Sequence, residues 1–254
     1  FLDPLNDALF DVWMFHGYAL NVQNGSVFVN KPPTNTAAVN SYAGIPGINV
    51  IRQKLDDNGW IGRPIIDAEH TIVYSPTADI SASQDDFWAA YMVQELALKK
   101  VLRTPNSLPS LEGILSLKIA PHDSANEPAF SSLFANGSLT KHIKAVGLLL
   151  SKFNEFIYTG HVNGQWDNGN QVWVEKFISL NTGNELYIFF KPFRYVVNQN
   201  IALDGQILNY NLVLPDIPTA VTLTDINGNV SNLTPGVTIA LQAVNAPQFL
   251  EVAY

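Results

Sequence analysis

Apolar and polar positions along the chain repeat with two different periods. Up to about Tyr158, short apolar runs alternate with stretches whose apolar residues recur every three or four positions, a pattern that predicts strand–helix–strand units and a parallel sheet. "LFDVWMFHGYAL" (Leu9 to Leu20) reads as a strand and leads into a long loop rich in Asn, Pro and Thr. "INVIRQKLDDNG" puts Ile48, Ile51 and Leu55 on one helical stripe and stops at Gly59. "RPIIDAEH" is the next strand. "SASQDDFWAAYMVQELALKKVLRTP" predicts a long helix: Ser81 or Ser83 caps it, Asp85 and Asp86 sit in its first turn, and Lys99, Lys100 and Arg103 in its last. Pro105 bars its continuation, and its Trp88 and Tyr91 read as core. "EGILSLKIAPHD" is a third strand. "SLTKHIKAVGLLLSKFNEFIY" is a third helix, with Ile143, Val146, Leu150, Phe153 and Ile157 at spacings of three and four.

From Thr159 to Tyr254 the period changes. "NQVWVEKFISL", "ELYIFFKPFRYVV", "QILNYNLVL", "AVTLTDINGNVSNL", "GVTIALQAV" and "PQFLEVAY" are short strands bounded by Gly, Pro or Asn, which predicts an antiparallel β-sandwich. "DINGNV" carries the Asn-Gly pair that favours a tight hairpin turn. The expected organisation is an α/β domain over residues 1–158 and an all-β sandwich over 159–254.

Composition narrows the function classes. With 254 residues, 47% hydrophobic and 14% charged, the chain can bury one large core or two smaller ones. A net charge of -8, with no basic cluster longer than Lys99-Lys100, argues against a nucleic-acid partner. Cysteine is absent, which excludes disulfides and thiolate metal sites. Four Asn-x-Ser/Thr sequons, at Asn24, Asn136, Asn229 and Asn232, together with a low-charge, Asn-rich character, suit a secreted or cell-surface glycoprotein. No apolar run reaches the roughly 20 residues that cross a bilayer. No signal peptide opens the chain, and its start at "FLDPLNDALF" reads as mid-fold.

The chemistry concentrates in "GRPIIDAEHTIVYSP" (Gly62 to Pro76). Strict alternation places Ile65, Asp67 and Glu69 on one face of this strand and Ile66, Ala68 and His70 on the other. Glu69 falls at the carboxyl end, where the active sites of α/β barrels and open sheets lie. In "VWMFHGY" the residues Met14, His16 and Tyr18 share a face, and the last two fall at the carboxyl end as flanking groups for Glu69. A phenol or imidazole that donates to a carboxylate keeps it ionised and aims its lone pair, as a nucleophile requires.

A strand ending His-x-Tyr, a helix, a strand ending Glu-His, another helix, then a last strand and helix before a sandwich resembles the final three β-α units of a clan A retaining glycoside hydrolase with a (β/α)8 TIM barrel. The resemblance implies that Glu69 is the nucleophile of a glycosidase, Tyr18 its hydrogen-bond donor, and His16 a sugar-contacting or supporting group. His70 and Trp60 join them as substrate contacts. It implies a carbohydrate substrate and no cofactor. The clan's acid/base glutamate, usually Asn-Glu at the end of the fourth strand, has no counterpart ahead of residue 10. The missing barrel half would come from the same gene product or from a partner chain. The last strand, which often ends in Trp in that clan, here offers Lys118, His122 and Asp123.

Each residue has a plainer role to weigh against this one. Glu69 as a strand-end carboxylate pairs with Arg63, and His16 and Tyr18 are amphipathic core residues with satisfied polar tips. Asp67 reads as structural. His70, His122 and Asp123 lack the close spacing of a metal site, so no metal is expected. Trp60 stands in a loop ahead of its strand, whereas Trp166 and Trp173 read as packing. The rival function is a non-catalytic extracellular structural or glycan-binding protein on a degenerate barrel segment plus sandwich.

Overall fold

The computed structural model describes residues 12–16, 20–23, 27–30, 44–61, 63–70, 73–74, 82–102, 113–116, 129–130, 134–135, 138–165, 169–193 and 203–254. It is a mixed α/β chain with three helices and a large antiparallel sheet among those residues. Two compact units emerge: Phe1–Ala78 with Leu98–Ala135 and Tyr195–Ile201, and Asp79–Ala97 with Asn136–Arg194 and Ala202–Tyr254.

In the first unit β1 (Trp13–His16) is followed by the hairpin strands β2 (Leu20–Gln23) and β3 (Val27–Asn30), helix α1 (Gly44–Asp57), β4 (Ile65–His70), β5 (Val73–Tyr74), β6 (Gly113–Ser116) and β7 (Ala129–Phe130). Short strands β8 (Phe134–Ala135) and β9 (Ser138–Leu139) come next in the chain. β1, β4 and β6 form a parallel sheet in that order, with β4 in the middle. The stripe read from the sequence is the one α1 buries: Ile51 and Leu55 pack with Trp60 and Ile65. Asn58 and Gly59 end the helix, with Gly59 in the left-handed region at φ 86°. Arg52, itself buried, then ties down the connection to β4. Its guanidinium donates to Asp56 and to the carbonyl oxygens of Trp60 and Arg63, each carbonyl at 2.7 Å.

The second unit takes most of α2 (Ala82–Val101), α3 (Lys141–Glu155), and strands β10 (Phe156–Asn163), β11 (Trp173–Ser179), β12 (Glu185–Phe190), β13 (Leu208–Val213), β14 (Ala220–Thr224), β15 (Val230–Leu233), β16 (Thr238–Ala243) and β17 (Gln248–Ala253). All six strands expected after Thr159 are present. Six strands pair antiparallel in the order β10-β11-β12-β17-β14-β15, and β13 pairs with β16 separately. Leu212, Ile239, Leu241 and Ala243 of the β13–β16 pair share one core with Val174, Tyr187, Phe189, Leu250 and Val252 of the larger sheet. On the opposite face Phe177 meets Phe153 of α3, ring centroids 5.6 Å apart. Coverage on both faces is why "ELYIFF" is buried at every position instead of alternating. The expected "DINGNV" turn forms with Gly228 at φ 84°. Burial alone would raise the Asp225 carboxyl, but hydrogen bonds from Asn229 and Asn227 outweigh it and hold the group below its usual range.

The third helix departs from its sequence reading twice. It ends at Glu155, because Phe156 is extended (φ -124°, ψ 136°) and opens β10, so Ile157 lies in a strand. Its buried residues are His142, Ala145 and Leu149, whereas Leu150 is exposed. The physical reason is visible at its first turn. Thr140 makes no side-chain capping bond; instead Asp85 of α2 accepts the backbone N–H groups of Lys141 (2.8 Å) and His142 (3.2 Å) and the His142 ring at Nδ1 (3.1 Å). That anchor turns His142 inward and rotates the buried face by one residue.

Candidate active site

The carboxyl ends of three parallel strands define the candidate site. His16 ends β1, Glu69 and His70 end β4, and Ser116 ends β6. Register shows which of these residues share a face, since partners in adjacent strands lie in the same row of the sheet. Trp13 pairs with Ile65, Met14 with Ile66 and Phe15 with Asp67; the register then shifts, and His16 pairs with Glu69. Against β6, Asp67 pairs with Ile114 and His70 with Ser116, again across a shift. β4 therefore carries one more residue than either neighbour at the same place, and that residue is Ala68. This is a β-bulge.

The bulge corrects the strict alternation. Ile65 belongs to the α1-covered row, because it packs with Ile51 and Leu55. Asp67 is in that row, and so is His70, through Ile114 and Ser116 of β6. Glu69, as partner of His16, belongs with Met14 and Ile66 to the other row. The backbone register thus places Glu69 in the row of His16, and Asp67 and His70 in the other row. Tyr18, Lys118, His122, Asp123 and Trp166 lie outside the described residues.

Trp60, expected among the substrate contacts, is a buried residue. It is 1% exposed, packs with Ile51, Leu55 and Ile65 ahead of the amino end of β4, and lies under the Arg63 guanidinium at 4.9 Å. The hydrogen bonds from Arg52 to the Trp60 and Arg63 carbonyl oxygens fix the backbone at the indole and just after it. Trp88, Tyr91 and Trp173 are buried as expected of packing residues.

Two clusters of ionisable groups in the second unit were not read from the sequence. Glu185 accepts hydrogen bonds from the hydroxyl groups of Tyr187 (2.6 Å) and Tyr254 (3.3 Å) and pairs with Lys176. Burial, then the Glu185 charge, pushes the Tyr254 phenol up to about 12 and Tyr187 higher still, so both remain donors. The second cluster is His161, 3.0 Å from buried Glu175 and 4.6 Å from the Trp173 ring. The carboxylates in "WVEKF" and "NELYI", each within an apolar strand, were the available signal. Among the described residues no group of three His, Asp or Glu side chains could hold a metal. No described helix is long and apolar enough to cross a membrane.

No family model and no curated protein matches the chain. Among solved structures the fold is similar to a family 39 glycoside hydrolase from the gut symbiont Bacteroides cellulosilyticus WH2, with a TM-score of 0.57 and 14% identity over 98% of this chain and 46% of that one. It is also similar to a glucosidase from Croceicoccus marinus, with a TM-score of 0.56 and 12% identity over 96% of this chain and 53% of that one. The chain spans about half the length of these structures, and the likeness is one of fold.

Proposed function

We propose that this chain is the carboxyl-terminal portion of a retaining glycoside hydrolase. Residues 1–158 would supply the last three β-α units of a (β/α)8 barrel, and residues 159–254 a β-sandwich formed by the large antiparallel sheet and the β13–β16 pair. The observation that carries the reading is the pairing of His16 with Glu69 at the carboxyl end of two parallel strands, in the row away from α1. The glycosidases of similar fold support it. Among the described residues β1 and β6 each have one partner strand, which fits a sheet continued by further barrel strands.

In this mechanism the Glu69 carboxylate attacks the anomeric carbon and the glycosidic C–O bond breaks, giving a glycosyl-enzyme. A second carboxyl group, outside this segment and about 5–5.5 Å from Glu69, protonates the leaving oxygen and then takes a proton from the water that releases the sugar. Tyr18 and His16 hold the nucleophile ionised and aimed. No cofactor takes part. The low charge and the sequons, of which Asn229 and Asn232 are exposed, support secretion.

The test is Glu69→Gln in the full-length protein against a panel of 4-nitrophenyl glycosides. Turnover is lost while the melting temperature stays within a few degrees of wild type, and the first product seen by proton NMR from the wild type keeps the substrate's anomeric configuration. Wild-type turnover by the variant, or an inverted first product, would refute the assignment.

A further inference from the structure

We propose that the phase of β4 is functional: with Ala68 as the surplus residue of the bulge, Glu69 falls outside the α1-covered row and in the row of His16, and this phase, not the Ala68 side chain, is what positions it. The proposal rests on Glu69 being the nucleophile. Two independent registers locate the extra residue. Between Phe15 and His16 of β1 there is one step, and between their partners Asp67 and Glu69 there are two. Between Ile114 and Ser116 of β6 there are two steps, and between Asp67 and His70 there are three. Both neighbours thus require one surplus residue after Asp67.

The consequence is geometric. An unbulged strand would pair His16 with Ala68 and leave Glu69 in the row of Ile65 and Asp67, on the face that packs against α1. There it could not reach a substrate held by the strand-end residues of the other row, and it would share a row with a second carboxylate. The bulge separates the two acids, as bulges beside active sites re-aim side chains elsewhere.

A deletion distinguishes the two registers. Removing Ala68 from a bulged β4 leaves a regular strand in which Glu69 still pairs with His16. Turnover of the same 4-nitrophenyl glycosides then stays within about 100-fold of wild type, the loss expected from a displacement of about 1 Å. Removing it from an unbulged strand flips Glu69 to the other face, and turnover falls as far as in Glu69→Gln, by more than about 1000-fold. A folded deletion variant as inactive as Glu69→Gln overturns the proposal.

The absence of cysteine allows a second readout that needs no activity. Paired residues on adjacent strands lie about 4.8 Å apart, within the span a disulfide bridges. His16→Cys with Glu69→Cys should oxidise to a disulfide faster than His16→Cys with Ala68→Cys; the reverse order overturns the proposal even if the deletion variant does not fold. Wild-type turnover by Glu69→Gln would defeat the nucleophile assignment alone, and the cysteine pairs would still decide the register.

Discussion

Asp85→Ala is the most informative single change in the second unit, because one carboxylate there does two jobs. It caps α3 from another helix through the N–H groups of Lys141 and His142, and it accepts the Nδ1–H of a His142 ring that is fully buried edge-on to Trp88. The other ring nitrogen, Nε2, lies 3.3 Å from the Thr140 hydroxyl, which donates to it when the imidazole is neutral. Losing the cap costs about 1 kcal/mol, and leaving a buried N–H without its acceptor costs about 1–3 more, for a total of roughly 2–4 kcal/mol. At about 2–4 °C per kcal/mol for a chain of this size, the melting temperature falls by roughly 4–16 °C. The adjacent Asp86 is the control. It pairs with Lys141 at 2.6 Å, but both side chains are nearly half exposed, so Asp86→Ala should cost no more than about 1 kcal/mol. Differential scanning calorimetry near pH 8, where His142 is neutral, reads the difference. Equal shifts for the two variants would refute the capping argument.

Burial lowers the pKa of His142, and its contact with Asp85 only partly restores it, so the unfolded chain takes up the proton more readily. Its contribution to stability is therefore complete above about pH 6.5 and is lost as the pH falls from there through the lower folded value. The urea midpoint of the wild type should drop between pH 7 and pH 5, and His142→Gln should flatten that slope; parallel slopes would contradict it. At Gly164, φ is 93° and an added Cβ would sit 2.4 Å from the Val172 carbonyl oxygen, while Gly183, at φ 76°, has open space around it. Both alanine variants bear the left-handed cost of roughly 1–2 kcal/mol, but only Gly164→Ala must also displace backbone, so it should melt well below Gly183→Ala. Gln94 donates from α2 to the Lys191 and Asn245 carbonyl oxygens, at 3.0 and 2.5 Å, in a buried site. The Lys191 oxygen keeps a second donor, the Asn245 side-chain amide at 3.2 Å, so Gln94→Leu takes the donor from the Asn245 carbonyl and should lower the urea-derived stability by about 1–3 kcal/mol; an unchanged value would refute this.

What the sequence disclosed follows from which patterns were redundant. α1 carried a stripe and a glycine stop, and α2 a core stripe and charges at both ends, signals that agreed with one another, and both helices appear with the expected buried residues. The six late strands were each bracketed by turn residues. The end of α3 had no such bracket: "NEFIYTGHV" contains no proline, and its single glycine lies well past the boundary, so helical spacing ran on into β10. What stopped the helix is pairing of Phe156 and Ile157 with Ser179 and Ile178 of β11, a contact made across more than twenty residues. The inward turn of His142 likewise depends on a carboxylate from another helix.

The bulge was hidden for a different reason. A half-buried strand announces its parity, because a slip by one residue would place its polar set on the buried face. "IIDAEH" begins with two adjacent isoleucines, so both rows start apolar and neither is marked as the solvent side. Alternation counted from Ile65 then has nothing to contradict it, and it assigns Asp67 and Glu69 to one face. Counted from Met14 on β1, the same rule puts His16 on the opposite face from Glu69, in conflict with their flanking one another. One surplus residue removes the conflict, and only the register of both neighbouring strands shows where it lies. The strand-end glutamate was therefore legible as a residue, but its face was a property of three strands together.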